Sequence, residues 1–374
     1  MSSAIAASTA RKIKAFNPSN FNTLVGLDGF VDNIIDVVDK RADALNYTRV
    51  ETIAQLGERI SRAAGLSSNI ELVVRQQKLG GNGPIMANAL IENGLNVSYI
   101  GCLGAPLPHA VFSDMAARCK ACYTLCDPGV TDALEFRDGK VMLGKHQTLK
   151  DVHYERMLEV VGLEKLRQLW KTSNLIALTN WTMLPHQTEI WRRLLTDMDG
   201  QTAPANAVLF IDLADPEKRP AEEIAAACKL LKGFRKSHKV VLGVNQKESM
   251  EVGGALGLKF NADEIEANAI TLRKTLELDA VVVHPTKNAA CATEKGRATL
   301  EGPYCSNPKL TTGAGDNFNA GFCIGLMAGL EPAELLAAGT ASSGFYVRNA
   351  KSAANTELAG FLEQWSARFG DVSF

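Results

Sequence analysis

The chain has 374 residues, of which 46% are hydrophobic and 22% charged, and its formal net charge is -1. This length suffices for one large α/β domain or two smaller ones, and the composition is typical of a globular protein. Because the net charge is so small, there is no electrostatic reason to expect nucleic acid or a membrane surface as a partner. We find no apolar run long enough to span a bilayer.

The start of the chain lacks the basic segment and apolar run of a secretory signal. Residues 1–22 are polar and compatible with a helix, and we predict an N-terminal arm there. Without a signal, the eight cysteines are expected to be thiols of a cytoplasmic protein. Cys119, Cys122 and Cys126 are closely spaced, but a zinc site needs a fourth ligand and no second cysteine pair follows at zinc-ribbon spacing. Partly buried free thiols are therefore favoured.

The first apolar run, residues 23–27, predicts a buried strand that ends at Asp28, and Asp32 follows shortly after it. Sheets of α/β proteins bind ligands at the carboxyl ends of their strands. Two carboxylates at this position are therefore well placed to hold sugar hydroxyls. The alternative is that Asp28 caps a turn and that Asp32 is solvated.

Strand and helix patterns then alternate along the chain, and this alternation predicts a parallel sheet. The segments are a helix at 51–60, a strand at 70–74, a helix at 85–91 and a strand at 97–101.

Residues 133–143 interrupt this alternation. Two short strand patterns flank Asp138-Gly139, a dipeptide that favours a hairpin turn. A hairpin inserted at this point is a candidate lid, which we assign to about residues 28–40 and 105–150. Nothing resembling a linker or a repeat divides the chain, so residues 1–374 are predicted to form a single domain. Later strands are predicted at residues 175–179, 208–212, 240–244 and 280–284.

A turn of small residues at 310–316 runs directly into an apolar helix pattern. Free N–H groups at such a helix start can bind an anion, helped by the helix dipole. If the anion is a phosphoryl group in transit, Asp316 can be the base that takes the proton from an attacking hydroxyl. The alternative is a tight strand-to-helix turn in which Asp316 only complements the helix dipole.

Four stretches of the chain form a recognisable set. They are the carboxylates Asp28 and Asp32, the pair Gly80-Gly81, the segment Asn245-Gln246-Lys247-Glu248, and the segment Thr312-Gly313-Ala314-Gly315-Asp316. Together they resemble the ribokinase-like PfkB family of sugar and nucleoside kinases, over about residues 23 to 360. The resemblance implies an α/β fold, with a doubly wound, mostly parallel sheet sandwiched by helices and a small β lid over the sugar. The implied reaction is phosphoryl transfer from ATP, with Mg²⁺, to a hydroxyl of a sugar or sugar derivative.

The resemblance also implies a role for each matched residue. The catalytic group is the base Asp316 with the anion hole Gly313, Ala314 and Gly315. The expected substrate contacts are Asp28, Asp32, Gly80, Gly81 and Asn82. The expected contacts to the nucleotide and to the Mg²⁺-bound phosphates are Asn245, Glu248, Thr312, His284 and Thr286. No direct metal ligand is expected, because Mg²⁺ would be organised through water near Asn245 and Glu248. The Asn-x-x-Glu spacing is also that of a helix capping box.

The sequence departs from the family pattern at Leu310, where K⁺-activated members have aspartate, so K⁺ activation is not favoured. A nucleoside kinase remains an alternative, and its base would need apolar walls that Phe30, Phe136 and Trp181 could supply. A catalytically silent ligand-binding member is a second alternative, and the presence of Asp316 argues against it. Because lid sheets of this family often pair between subunits, a homodimer through the lid is plausible. The other expected partner is a small sugar.

Overall fold

The computed structural model describes residues 2–368. The strands are β1 (Asn22–Leu27), β2 (Phe30–Arg41), β3 (Tyr47–Arg49), β4 (Leu72–Gly80), β5 (Asn96–Gly101), β6 (Ala121–Thr124), β7 (Gly129–Phe136), β8 (Gly139–Lys145), β9 (Leu175–Leu178), β10 (Val208–Asp212), β11 (Lys239–Val244), β12 (Ala280–Val283), β13 (Asn288–Thr293) and β14 (Gly296–Glu301). The α-helices are α1 (Ser2–Ala15), α2 (Ile53–Arg62), α3 (Asn82–Glu92), α4 (Ser113–Arg118), α5 (Tyr154–Val161), α6 (Leu163–Thr172), α7 (Gln187–Asp197), α8 (Ala221–Leu230), α9 (Gln246–Ala255), α10 (Ile265–Leu276), α11 (Ala314–Met327), α12 (Pro332–Asn349) and α13 (Asn355–Ala367).

Within residues 2–368, nine strands form a large sheet in the order β14-β13-β12-β11-β10-β9-β1-β5-β6. The strands from β12 to β6 in that order are parallel, and β13 and β14 add antiparallel pairs at one edge. Central strands such as β10 and β12 are buried along their whole length, which explains their continuous apolar sequences. The α/β fold predicted from the sequence, with a mostly parallel sheet between helices, is confirmed.

Alternate side chains of the strands enter two hydrophobic cores, one on each face of the large sheet. In β1, Leu24 belongs to one core and Val25 to the other. In β10, Leu209 belongs to the first core and Phe210 to the second. Because the strands from β12 to β6 are parallel, their carboxyl ends lie together at one edge of the sheet, where the site is found.

Helix α1 corrects the prediction of an N-terminal arm. Ala6, Ala10 and Ile13 are fully buried in the second core, where α1 packs against α12 and α13. Lys12 Nζ also lies 2.6 Å from Glu334 on α12. The prediction was wrong because three apolar residues at i, i+4 and i+7 are enough to bury one face of an otherwise polar helix.

Five strands of the described chain form a second, small sheet around β2. Strand β2 is parallel to β7 and antiparallel to β3 and β4. Strands β7 and β8 pair around Asp138, with Phe136 opposite Gly139, so the predicted hairpin is confirmed. Helix α2 covers part of this sheet through a small core that includes Leu56, Val37 and Leu134.

The strand predicted at residues 70–74 corresponds to β4, but β4 is not part of the parallel sheet. It runs antiparallel to β2 in the small sheet, and most of its side chains are exposed or half-buried. Strand β3 is also in the small sheet, whereas α4 and β6 are not, and β6 pairs with β5 at the edge of the large sheet. The segments that build the small sheet are therefore β2, β3, β4, β7 and β8.

Candidate active site

Asp28 lies directly after β1, and its carboxylate holds the turn between β4 and α3. The backbone N–H groups of Asn82 and Gly83 donate to it at 2.9 and 2.8 Å, and Asn180 Nδ2 donates at 2.7 Å. Burial raises the pKa of Asp28 to about 6. Three protein donors therefore bind this carboxylate, and Asp28 caps the turn, which was the alternative interpretation of the sequence. In this way Asp28 shapes one end of the site.

Asp32, on β2, lines a cleft of about 770 Å³ between the small sheet and residues 308–312, here named the small-sheet cleft. Gly80 is essential to this arrangement, because a Cβ at that position would lie 2.4 Å from Asp32 Cγ. Burial raises the pKa of Asp32, and a hydrogen bond and two nearby lysines oppose that shift. Asp32 thus provides an acidic group at the wall of an accessible cleft.

Gly81 serves the same end of the site in a different way. It is the residue before α3 and has a φ of 92°, which glycine adopts at little cost. A Cβ on Gly81 would also lie 2.9 Å from Asp28 Oδ2. The predicted substrate residues Gly80, Gly81 and Asn82 therefore form one tight turn against Asp28.

Helix α11 begins at a glycine that the packing requires. Gly313, directly before it, has a φ of 90°. A Cβ on Gly313 would lie 2.9 Å from Tyr346 Oη and 3.0 Å from Ile85 Cγ2. Ala314 and Gly315 line a second cleft, and the N-terminal turn of a helix attracts anions there through its free N–H groups and its dipole.

Asp316 lies in the first turn of α11 and joins the two ends of the site. Asn82 Nδ2 donates to Asp316 Oδ1 at 2.9 Å. Burial, and after it the carboxylates of Asp212, Asp28 and Glu248, raises the pKa of Asp316 well above its ordinary value. A carboxylate with a raised pKa binds a proton more firmly, which suits a general base.

The second cleft, here named the α11–α12 cleft, has a volume of about 570 Å³. It lies between residues 284–288, residues 302–308 and the facing sides of α11 and α12. The two clefts share Pro308 and Thr311, so they meet beside the turn that leads into α11. Of the predicted nucleotide residues, the α11–α12 cleft is lined by Asn245, His284 and Thr286, whereas Thr312 lines the small-sheet cleft.

His284 forms part of the floor of the α11–α12 cleft. Its ring stacks on Phe318, with ring centroids 4.5 Å apart. Burial lowers the pKa of His284 to about 4, so the imidazole is neutral near pH 7. His284 therefore offers a flat apolar surface and not a positive charge.

Asn245 and Glu248 form the capping box that their spacing allows. The Glu248 N–H donates to Asn245 Oδ1 at 2.9 Å, and the Asn245 N–H donates to Glu248 Oε2 at 2.8 Å. Glu248 Oε1 also accepts a hydrogen bond from the Asp215 N–H at 2.9 Å. Burial raises the pKa of Glu248. The pair fixes the start of α9 at the carboxyl end of β11, with Asn245 at the wall of the cleft.

Asp212 is a site residue that the sequence analysis missed. It ends β10, is fully enclosed, and accepts hydrogen bonds from the Ala214 N–H at 2.8 Å and Asn319 Nδ2 at 2.7 Å. Burial, with a further contribution from Glu248, raises the pKa of Asp212 to about 8. The feature of the sequence that could have identified Asp212 is its position at the end of the apolar run of β10, the strand before β11 in the chain.

Asp212, Glu248 and Asp316 are the acidic groups of this part of the site. Burial and other carboxylates are the main causes that raise the pKa values of Asp212 and Asp316. Within residues 2–368 the carboxylate oxygens of these three residues do not all lie within 4.8 Å of one another, so they do not form a site that binds one metal ion directly. Because Mg²⁺ keeps several of its waters, these residues fit the metal that the sequence resemblance implies only through such waters.

Two of the three aromatic residues considered for a nucleoside base, Phe30 and Trp181, are buried away from both clefts. Trp181 is fully buried, with the Arg219 guanidinium 4.4 Å from its ring centroid. Phe30 packs in the first core, and Phe136, also largely buried, is the member of the three that lines the small-sheet cleft. The aromatic wall proposed for a nucleoside base is therefore not assembled by these residues.

Two other groups of residues within 2–368 contain side chains of the types that bind metals. Cys119, Cys122 and Cys126 are free and do not form a metal-ligating cluster. Asp215 is grouped with two glutamates, Glu217 and Glu251, but Lys247 pairs with all three of these carboxylates. In the described part of the chain, no helix is both long and apolar enough to cross a bilayer.

Solved structures with the same architecture identify the fold class. A carbohydrate kinase from Agrobacterium tumefaciens has a TM-score of 0.63 and 18% identity, covering 91% of this chain and 97% of its own. Phosphofructokinase-2 from Escherichia coli, in complex with substrates and products, has a TM-score of 0.63 and 12% identity, covering 93% and 99%. Ribokinase from Thermotoga maritima has a TM-score of 0.57 and 15% identity, covering 92% and 99%. These structures show that the fold is ribokinase-like.

Sequence comparison narrows this class to a family. Residues 3–365 match the family model described as prokaryotic ketohexokinase, so the chain belongs to that family. It is 27% identical over 350 residues to a ketohexokinase from Haloferax volcanii, covering 92% of each chain. The protein is accordingly an ATP-dependent carbohydrate kinase, and the family and activity predicted from the sequence are confirmed.

Proposed function

We propose that this kinase transfers the γ-phosphoryl group of ATP to a hydroxyl of a ketohexose, with Asp316 as the base. The observation that carries the proposal is the position of Asp316 in the first turn of α11, directly after the turn beside which the two clefts meet, with its carboxylate bound by Asn82. The name of the relative from Haloferax volcanii supports a ketohexose as acceptor. In this scheme the small-sheet cleft holds the sugar and the α11–α12 cleft holds the nucleotide.

The acceptor is oriented by the small sheet and the turn before α3. Asp32 accepts hydrogen bonds from sugar hydroxyls, while Gly80, Gly81 and Asn82 offer backbone groups and one amide side chain. Asp28 acts behind this turn, because its carboxylate binds the turn's N–H groups. Its hydrogen bonds keep Asn82, and through Asn82 the base Asp316, in position.

The phosphoryl group is held by the N-terminal turn of α11. The N–H groups at Gly313, Ala314 and Gly315 and the helix dipole stabilise the charge that spreads over the phosphoryl oxygens during transfer. Asp316 takes the proton of the attacking hydroxyl as the new bond to phosphorus forms.

The nucleotide lies in the α11–α12 cleft, where Thr286 and the ring of His284 line the wall. Magnesium, when bound, offsets the negative charge of the phosphates. Asn245, Glu248 and Asp212 would hold it through its waters.

We further infer that the small sheet acts as the lid of the site and as the surface of a homodimer. Leu72, Val74 and Leu143 leave between 42% and 49% of their surface exposed on this sheet and do not line the small-sheet cleft, and exposed apolar surface of this kind favours pairing. Light scattering at micromolar concentration tests this inference, and a monomer would contradict it. ATP as co-substrate and the eight free cysteines support a cytoplasmic location.

The substitution Asp316→Asn tests the proposed base. It keeps the size and hydrogen-bonding capacity of the side chain, so we expect kcat to fall by at least about 10²-fold while ATP affinity and the thermal midpoint are kept. The measurement is ADP release with a panel of ketohexoses, aldohexoses and nucleosides, combined with ATP titration. Near-native kcat on the preferred acceptor would disprove the base, and loss of ATP binding or of folding would make Asp316 a structural cap. Preference for a nucleoside would disprove the acceptor.

A further inference from the structure

A lysine of the small sheet reaches the turn that begins α11. Lys140 Nζ donates to Thr312 Oγ1 at 3.0 Å, and Thr312 is directly before Gly313. This contact joins two parts of the chain 172 residues apart. It is the hydrogen bond that links the β7–β8 hairpin to the phosphate-binding turn.

The hairpin holds Lys140 in a defined place. Lys140 follows Gly139 at the start of β8 and is paired with Glu135 in the register of the hairpin. The turn is tied to α2, because Asp138 Oδ1 accepts a hydrogen bond from the Ile53 N–H at 3.0 Å. Lys140 is therefore presented from a turn that is itself hydrogen-bonded.

No carboxylate is hydrogen-bonded to the Lys140 ammonium group in the described residues, so this group can bind an anion. Its nearest carboxylate, Glu135, is 3.7 Å away, longer than a hydrogen bond. Its side chain is 33% exposed and faces the small-sheet cleft. Among the described lysines and arginines that line this cleft, Lys140 is the one hydrogen-bonded to the segment 312–316. The lining cations are Arg75, Lys78, Arg137, Lys140 and Lys309.

We propose that Lys140 is a catalytic residue that contacts the phosphoryl group as it passes from ATP to the acceptor. The inference rests on the proposed function, since that function puts the phosphoryl group against the turn at Gly313. The helix start supplies only partial positive charge. An ammonium group one residue away adds a full charge on the side from which the acceptor approaches, where negative charge spreads over the phosphoryl oxygens.

Phosphoryl transfer with Lys140 in contact needs no reactant other than ATP and the acceptor. The acceptor oxygen forms a bond to phosphorus and gives its proton to Asp316, while the bond from phosphorus to the ADP oxygen breaks. Lys140 exchanges its hydrogen bond with Thr312 for one to a phosphoryl oxygen and transfers no proton.

Three variants test this role. Lys140→Met removes the charge, Lys140→Arg keeps it, and Lys145→Met is the matched control. Lys145 lies at the other end of β8, is 60% exposed, and pairs with Asp132 at 2.7 Å. We expect Lys140→Met to lower kcat by about 10²-fold, Lys140→Arg to restore much of it, and Lys145→Met to leave kcat within about 2-fold of the wild type.

A binding measurement separates phosphoryl contact from a structural or acceptor-binding role. ADP with aluminium fluoride and Mg²⁺ mimics the transferring group. Lys140→Met should weaken its binding by more than about 10-fold and leave ADP binding within about 2-fold. A variant with native kcat and native affinity for this mimic, or one that changes only the acceptor KM, would overturn the proposal. Because this titration needs no acceptor, its outcome is independent of whether the preferred sugar is a ketohexose.

Discussion

The two clefts, which meet beside the turn that leads into α11, are built from different parts of the molecule. The α11–α12 cleft is formed by the large sheet's connecting segments and helices. The small-sheet cleft takes one wall from residues 308–312 and the other from the small sheet. The α11–α12 cleft is therefore preorganised, because all its walls belong to the large sheet and its helices. The shape of the small-sheet cleft depends in addition on how closely the small sheet approaches residues 308–312.

This difference predicts how substitutions divide. Changes at the start of α11 should act mainly on kcat, because they displace the backbone N–H groups that stabilise the negative charge of the transferring phosphoryl group. Changes in the small sheet should act mainly on the acceptor KM, because they remove contacts made to the bound sugar. Lys140 is the proposed exception, since it extends from the small sheet to Thr312.

The largest effect is expected for Gly313→Ala. The new Cβ would lie 2.9 Å from Tyr346 Oη at a φ of 90°, so the turn must shift and move its N–H groups. We expect kcat to fall by about 10² to 10³-fold, as for loss of a preorganised donor. Gly329→Ala is the control, because Gly329 lies just beyond the other end of α11, has a φ of 71°, and has open space around it. If steady-state kinetics gave equal losses for both variants, helix strain alone would explain them.

A smaller effect is expected for Asp32→Ala in the other half of the site. Loss of a hydrogen bond to a charged group costs about 1.5–3 kcal/mol, which corresponds to a rise of about 10- to 100-fold in the acceptor KM. The KM for ATP should stay within about 3-fold of the wild type. Asp39→Ala, an exposed position on the same strand, is the matched control. An unchanged acceptor KM would remove Asp32 from the sugar site.

The large sheet was predictable from the sequence, and the small sheet much less so. Strands buried on both faces, such as β10 and β12, are continuous apolar runs and leave little ambiguity. Strand β4 is mostly exposed or half-buried and was assigned to the wrong sheet. Its sequence, Leu72-Val73-Val74-Arg75-Gln76-Gln77, predicts a strand but carries no information about the partner that it pairs with.

The same limit applies to the site. The turn before Asp316 is a local motif, and its glycine at 313 has a local backbone reason. Asp212 was missed because its importance depends on strand order: β10 lies beside β11, which brings Asp212 close to Glu248. The contact of Asn82 with Asp316 spans 234 residues and could not be inferred from spacing.

The last prediction concerns the charge buried in the large-sheet half, and it is measured in stability and not in kinetics. The folded protein holds the proton of Asp212 up to about pH 8, whereas an unfolded aspartate loses it near pH 4. The folded state therefore binds this proton more tightly, and the unfolding free energy should fall as pH rises between those values. If Asp212 titrated alone, the slope would be about 1.4 kcal/mol per pH unit.

Asp212→Asn removes this titration and should reverse the order of stability between wild type and variant. The amide keeps one of the two acceptor oxygens, so the variant should be about 1 kcal/mol less stable at pH 5. It should be the more stable protein at pH 8, where wild type must carry a buried charge. Urea denaturation across this range, with a chelator present, measures the crossing.

Asp279→Asn is the control for this crossing, because Asp279 is also buried but is paired with Arg235 at 2.8 Å. It should destabilise the protein at both pH values, since Arg235 loses its nearest partner. Adding Mg²⁺ at pH 8 should then stabilise wild type more than Asp212→Asn, because the cation offsets a charge that the variant lacks. A variant that stayed less stable than wild type at pH 8 without Mg²⁺ would mean that the Asp212 carboxylate is already stabilised by the protein alone. In that case the buried carboxylates would give no reason to expect a cation among them.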